Sequence, residues 1–557
     1  MTVFIINLLT ISTTYQNLMK ILTLVFVIPL FLIEPAFSQT KNDAKNDRLK
    51  IYREMRKSMV DELLKPWYPA AIDTVDGGFL SAFTYDFKPT GNQDKMIVTQ
   101  ARHLWSNARA AALFPSVSWY KKGEAVGYAF LRDKMWDKQY GGFYTYTDRR
   151  GNPKPGSFAP KEAYGNSFAI YALAAYYRTS GDTSALNLAI KEFHWLEAHS
   201  HDPVFKGYYQ HMERDGTPIK RTTAVPTTAE TGYKDQNTSI HLLESFTELY
   251  TVWPDSLLKQ RLQEMLYLVR DVITDKRGDL TLFFQPDWTP VSYRDSTYAV
   301  MMKHKELDHV SFGHNIETAW LMLEASDVLG LRHDTLTNRI AKKMVDDALQ
   351  NGWDVKVGGF YDEGYYFKDK PGITIIADTK NWWAQAEGLN ALLLMADKYP
   401  HDPLQYEEKF KQQWQYIQTY LIDHEHGDWY QGGLDKQPNY KMALKGQIWK
   451  GTYHNFRALM NCTNQLHSNT SMPPAPFGIS YQKSPVARLR WHAPKSKNIL
   501  MGYNIYRNAK RIGFTPLTYW YVPAGVRISG KITIRSVDLQ ENESRKAGYL
   551  ILQQNLK

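Results

Sequence analysis

The sequence predicts a closed toroid of helix pairs, an (α/α)6 barrel, followed by a small all-β sandwich domain. Three observations carry this expectation. A short hairpin signature recurs six times, two helix-like stretches fill each interval between copies, and the pattern changes to period-two alternation after the Pro-rich run Met472-Pro-Pro-Ala-Pro476.

The hairpin signature is a glycine turn running into Phe, Tyr, Leu or Trp, at residues 77–79, 141–143, 207–209, 278–280, 358–361 and 427–430. Successive copies lie 64 to 81 residues apart, and each is followed by a second turn containing Pro or Gly, such as Arg150-Gly-Asn-Pro153. Between copies the apolar spacing is helical, as in 167–177 with 183–199 and in 240–250 with 255–274. Residues 311–330 read as a buried helix, with Ser311 as N-cap, Gly330 as C-terminal stop, and apolar residues on almost every face. Its first turn nevertheless carries His314 and Glu317, three residues apart and so on one face.

The start of the chain reads as a targeting segment. Met19-Lys20 precedes an apolar run at 21–33 and a small-x-small motif ending at Ser38. Residues 1–38 are therefore assigned as a signal peptide starting at Met19, 39–47 as a linker and 48–467 as the barrel. Residues 468–476 are a second linker and 477–557 the β domain. The run is too short for a membrane span of ~20 residues, and an exported protein is expected. With Cys462 alone no intrachain disulfide can form, so a large core must hold the fold.

Charge is unevenly placed. Residues 473–557 hold 14 Lys+Arg against 3 Asp+Glu, a surplus of +11 that exceeds the +10 of the whole chain. The barrel is thus close to neutral and has no nucleic-acid-like charge. Any affinity for acidic polysaccharide or an anionic surface belongs to the tail.

Polar and aromatic residues that interrupt the apolar helices recur at one place per repeat, beginning 22 to 36 residues after each hairpin glycine. They are Arg102 with Trp105, Tyr164 with Asn166, Asn237 with His241, and His314 with Glu317. The last two sets are Trp382 and Trp383 with Gln385 and Glu387, and Trp449 with His454. In a toroid these helix starts converge on one end of the barrel. Three histidines, an arginine, carboxylates and tryptophan faces suited to sugar rings point to a carbohydrate site. No His-x-x-x-His pair is present, and His424-Glu-His426 lies in a polar turn, so no metal is expected. No glycine-rich phosphate loop supports a nucleotide cofactor.

The motifs Arg102-His-Leu-Trp105, Asn237-Thr-Ser-Ile-His241, Gly313-His-Asn-Ile-Glu317, Trp382-Trp-Ala-Gln-Ala-Glu387 and Trp449-Lys-Gly-Thr-Tyr-His-Asn455 resemble those of the N-acylglucosamine 2-epimerase superfamily. They are most similar to its cellobiose/mannobiose 2-epimerase branch, over residues 48–466. The resemblance implies cofactor-free inversion at C2 of a reducing-end aldose through an enediolate. His314 and His454 would be the acid/base pair, His241 an assisting histidine, Arg102 the enediolate stabiliser and Glu317 a support. Tyr164, Asn237, Trp382, Trp383, Glu387 and Trp449 would hold sugar. The chain departs from the family pattern at Asn315, where Asp is usual and orients His314, at 106–108, and at Thr452, where Pro is usual.

The chemistry needs two bases on opposite walls, and histidine with an ordinary pKa near ~6.5 can act as acid or base. Rival readings are an aldose–ketose isomerase on the same scaffold, a glycoside hydrolase using Glu317 and Glu387, and a non-catalytic glycan-binding protein. The β domain resembles a fibronectin type III-like sandwich, with Trp491 and Tyr503 as core candidates and no catalytic constellation.

Overall fold

Each of the six glycine turns closes an antiparallel bridge: Ile72 with Phe79, Trp136 with Phe143, His201 with Tyr208, Thr274 with Leu280, Trp353 with Phe360, and Ile422 with Trp429. The computed structural model describes residues 46–221, 231–331, 333–467, 471–483, 485–526 and 528–552. The expected targeting segment lies outside them. Residues 46–56 are helical and are a unit by themselves; the second unit runs from Lys57 and holds everything below.

Six inner helices follow the hairpins: α1 (Ile97–Leu113), α3 (Ala163–Ser180), α5 (Gln236–Val252), α7 (Phe312–Leu329), α9 (Trp382–Lys398) and α11 (Tyr453–Leu466). Outer helices α2 (Ser118–Phe130), α4 (Thr183–His199), α6 (Ser256–Leu268), α8 (Thr335–Asn351) and α10 (Tyr406–Tyr420) alternate with them. Each inner helix packs on the next, and α11 returns against α1, which closes the ring. The helical segment Ser58–Leu64 backs α11. The inner helices are buried on nearly every face because neighbours, outer helices and the ring interior surround them.

The repeat has a physical signature that periodicity alone did not reveal. Just before five inner helices a fully buried lysine reaches the Asp that opens the hairpin: Lys95–Asp73 (3.0 Å), Lys161–Asp137 (3.1 Å), Lys234–Asp202 (2.8 Å), Lys380–Asp354 (2.9 Å) and Lys445–Asp423 (2.6 Å). Burial alone would raise these carboxyl pKa values. The lysines, with arginine or backbone donors, hold all five below the usual range. An amide on the inner helix then clips the hairpin. Phe79 N–H donates to Gln100 Oε1, Phe143 N–H to Asn166 Oδ1 and Phe360 N–H to Gln385 Oε1, at 2.7–2.8 Å. Gly78 sits at φ +67°, and a Cβ there would lie 2.6 Å from Gln100 Oε1, so the clip and the turn both require glycine.

Short strand pairs stitch the start of one inner helix to the next hairpin, as in Lys95–Met96 against Tyr146–Thr147 and Lys161–Glu162 against His211–Met212. Lys234–Asp235 and Val310–Ser311 pair likewise ahead of α5 and α7, and single bridges, Asn381 with Gly432 and Phe83 with Gly446, serve α9 and α11, so the inner N-termini are fixed at one end of the ring.

The C-terminal domain is a two-sheet sandwich. β1 (Phe477–Gln482), β2 (Arg488–His492) and β5 (Tyr519–Tyr521) form one sheet in the order β1-β2-β5. β3 (Leu500–Arg507), β4 (Lys510–Thr515), β6 (Gly530–Asp538) and β7 (Gly548–Leu552) form the other in the order β4-β3-β6-β7. Leu489, Trp491 and Trp520 from one sheet meet Tyr503, Ile505, Ile532 and Ile534 from the other, with the Trp491 and Tyr503 rings 5.2 Å apart.

This domain is docked on the barrel. Tyr177 Oη donates to Phe514 O (2.9 Å), and Arg178 reaches Glu541 (3.0 Å). Arg109 and Arg178 both bond Glu248 and touch the Met501 sulfur. On the barrel side, Arg109, Tyr177, Arg178 and Glu248 lie toward the C-terminal ends of α1, α3 and α5, the end of the ring opposite the hairpins.

Candidate active site

At the hairpin end, Arg102, Tyr164, Asn237, His241, His314, Glu317, Trp382, Trp383, Trp449 and His454 line one cavity of about 210 Å³. All ten were singled out in the sequence, one set per inner-helix start. Glu387 is not among them: it is fully buried behind His454. Asn166 and Gln385 also turn away, to clip hairpins, and Trp105 packs in the core against Tyr171 at 5.5 Å.

Each histidine is anchored through Nδ1, leaving Nε2 for the cavity. His241 Nδ1 bonds Glu244 Oε2 at 2.8 Å, His454 Nδ1 bonds Glu387 Oε1 at 2.7 Å, and His314 Nδ1 bonds Ser311 Oγ at 2.8 Å. Ser311 is the residue before α7, but its hydroxyl makes no helix cap; it orients His314 instead. Asn315 does not orient His314 as expected. Its Oδ1 accepts from Leu280 N–H (3.0 Å) and its Nδ2 donates to Asp279 (2.9 Å), so it is the fourth repeat's hairpin clip.

Trp383 packs against both His314 (4.7 Å between ring centres) and His454 (5.9 Å). Arg102 donates to Tyr164 Oη (3.2 Å) and lies over the rings of Phe168 and Tyr453. Arg102 Nε, Asn237 Oδ1 and Trp382 Nε1 are buried without a protein partner.

The groups missed by sequence lie beneath the cavity. Arg457 donates from Nη2 to Glu317 Oε1 (2.7 Å) and to Glu387 Oε1 (2.8 Å), and from Nη1 to Glu244 and the Tyr453 hydroxyl. Glu387 Oε2 also accepts from Trp320 Nε1 (3.0 Å). A helical rule would have found these partners. His241–Glu244, His314–Glu317 and His454–Arg457 are each three residues apart and face the same way.

Burial sets the protonation states. It lowers His314 and His454 to about 3, the bond to Glu387 opposing the shift at His454, and it lowers His241 as well. The imidazoles are therefore neutral at pH 7, not poised near their ordinary pKa as the sequence reading had them. Burial would raise Glu244 and Glu387, but Arg457 and the bonded histidines bring each to about 2. Glu317 goes the other way: burial and then the Glu387 charge raise it to about 8.

Glu317, Glu387 and His454 hold ligand-type atoms within 4.8 Å of one another, a spacing that would suit a metal. The Arg457 guanidinium already bonds both carboxylates and supplies the cation there, so these residues do not fit a metal centre. The same arrangement disfavours a glycosidase pair. Two catalytic carboxylates stand about 5–9.5 Å apart with the glycosidic bond between them, whereas these share one nitrogen and Glu387 lies behind a histidine.

Comparison with known proteins finds relatives over most of the chain. The family model of N-acylglucosamine 2-epimerase (GlcNAc 2-epimerase) matches residues 77–458. A cellobiose 2-epimerase of Bacteroides fragilis is 30% identical over 73% of this chain and 96% of its own length. The solved cellobiose 2-epimerase of Spirochaeta thermophila superposes with a TM-score of 0.63 at 27% identity, covering 76% of this chain and 98% of that one. A solved D-mannose isomerase shares the fold, with a TM-score of 0.61 at 20% identity over 75% of this chain and 97% of its own.

Proposed function

Because the chain belongs to the N-acylglucosamine 2-epimerase family, we propose that this cavity inverts C2 of the reducing-end aldose of a β-1,4-linked disaccharide such as cellobiose or mannobiose. The enzyme is a carbohydrate 2-epimerase, an isomerase. The observation that carries the finer reading is the pair His314 and His454, flanking Trp383 with both Nε2 atoms left for the cavity.

Neutral His314 takes the C2 proton of the open-chain aldehyde. Arg102 stabilises the developing enediolate oxygens, a fixed cation where charge appears. His454 returns a proton from the opposite face. His241, held by Glu244, moves the ring-opening proton between O5 and O1. Trp383 and Trp449 offer faces to sugar rings, and the unpartnered Asn237 Oδ1, Trp382 Nε1 and Arg102 Nε are matched by sugar hydroxyls. No step calls on a cofactor.

For the chain ends, we assign residues 1–38 to export and the sandwich, with its three-plus-four strand order, to a fibronectin type III-like module. Its basic surplus suits acidic polysaccharide or an anionic surface, with binding that weakens as salt rises. No helix among the described residues is long and apolar enough to cross a membrane.

The decisive experiment incubates the mature protein with cellobiose and with β-1,4-mannobiose in deuterated water, and reads the products by NMR. The 2-epimer carrying deuterium at C2 is expected, because imidazole protons exchange with solvent. A ketose product would establish the isomerase instead, released monosaccharide a hydrolase, and product without deuterium would sink the enediolate.

A further inference from the structure

Two neutral imidazoles cannot complete an inversion unaided. One accepts the C2 proton, and the other must then have a proton to give and a way to replace it. Resting on the C2-epimerase reading, we propose that Glu317 stores the proton spent at His454, and that Arg457 is the positioning residue that holds Glu317 beside Glu387 for this purpose.

The argument begins with geometry. Glu317 Oε1 and Glu387 Oε1 both sit on the same Arg457 nitrogen, at 2.7 and 2.8 Å, and both side chains are fully buried. Two carboxylates this close in a dry site do not both ionise; the pair holds one proton. Charges from the surrounding helices agree. Glu244 of α5 and Glu387 of α9 are balanced by Arg457 of α11 and Arg102 of α1, while His241, His314, His454 and Tyr164 are neutral. The cluster is electrically neutral when Glu317 is protonated and carries an uncompensated buried charge when it is not. The rise of Glu317 to about 8 has the same two causes, burial and then Glu387.

The transfer balances. With Glu387 ionised, neutral His454 carries its ring proton on Nδ1 and Nε2 is bare. Glu317, whose carboxyl lies within 4.8 Å of a His454 ring nitrogen, gives its proton to Nε2, breaking O–H and making an imidazolium paired with Glu387. That Nε2 proton passes to C2, breaking N–H and forming C–H. His454 ends neutral as it began, Glu317 and Glu387 end as two carboxylates on Arg457, and His314 ends as imidazolium carrying the proton removed from C2. Exchange with water resets both sides.

The test is Glu317→Gln, which keeps size and an oxygen for Arg457 but has no proton to release. With cellobiose or mannobiose as substrate, kcat should fall at least tenfold with KM within about twofold. Glu317→Asp should recover part of the loss, and the wild-type enzyme should lose kcat as pH rises through about 8. A second measurement does not depend on turnover: wild-type-minus-E317Q infrared difference spectra should show a protonated-carboxyl band at pH 7 that disappears above about pH 8. An E317Q enzyme with wild-type kcat and pH profile, or the absence of that band, overturns the proton store alone. A wild-type protein that inverts no C2 overturns the reading beneath it as well.

Discussion

The two ends of the barrel are both rich in buried charge, yet they are built for different ends. At the hairpin end, each histidine is tied through one nitrogen and leaves the other for a cavity. At the opposite end, Arg109, Arg178, Glu248 and Glu541 bond one another across the junction with the β domain. A cavity of about 480 Å³ lies there, bounded by Arg457 and Trp320 on the barrel side and residues 539–542 on the domain side. The difference is where the partners come from. Ionised groups that satisfy one another hold parts together; groups fixed on one side and open on the other await a ligand.

This contrast predicts opposite consequences of substitution. At the hairpin end, His314→Ala and His454→Ala should each abolish epimerisation while melting within a few degrees of the wild type. Near-normal turnover in either would break the assignment. Arg102→Ala should cost about 2.7–4 kcal/mol of transition-state stabilisation, a hundredfold or more in kcat. At the junction, Arg178→Ala should lower stability by about 1–3 kcal/mol in denaturant melts, because Glu541 and Glu248 lose a donor, with KM unchanged. The Glu541 side chain is half exposed, which keeps the loss below that of a fully buried pair. A large change in KM with stability intact would erase the distinction between the ends. The accessory β domain is thus expected to matter to the barrel's stability, although it carries none of the residues that line the hairpin-end cavity.

Much of the site was legible because the repeat did the selecting. A polar residue in an otherwise apolar inner helix stands out, and six such helices place theirs at one end, so Arg102 through His454 could be read before any coordinates. Glu244 and Arg457 were not, because a buried Glu or Arg one turn along reads as an ordinary helical polar residue until its neighbour is known to be a site histidine. Gln385 and Asn166 misled for the converse reason. An amide in an apolar helix looks functional, but here it satisfies the backbone of a hairpin far away in sequence. The pKa of a histidine was least legible of all, since burial by residues far away in sequence decides it.

The smallest expected effect tests the repeat itself. The fourth copy has Val310 two residues before its helix, where the first, second, third and fifth copies place the buried lysine, and its hairpin carries Asp279 beside Asp347 of α8. Asp279 accepts from Asn315 and from the Tyr366 hydroxyl (2.9 Å). Without the lysine, burial and then the neighbouring carboxylate raise Asp347 to about 7, and burial raises Asp279. A carboxyl whose folded pKa lies above its unfolded value of 3.8 contributes stability that is complete below pH 3.8 and is lost as pH rises to about 7. Asp347→Asn should remove this slope, leaving the melting temperature flatter than wild type between pH 4 and pH 7 while kcat at pH 7 changes little. An equally steep profile in the variant would mean that the slope comes from groups other than this carboxyl pair, and that the missing lysine is not what sets the electrostatics of this repeat.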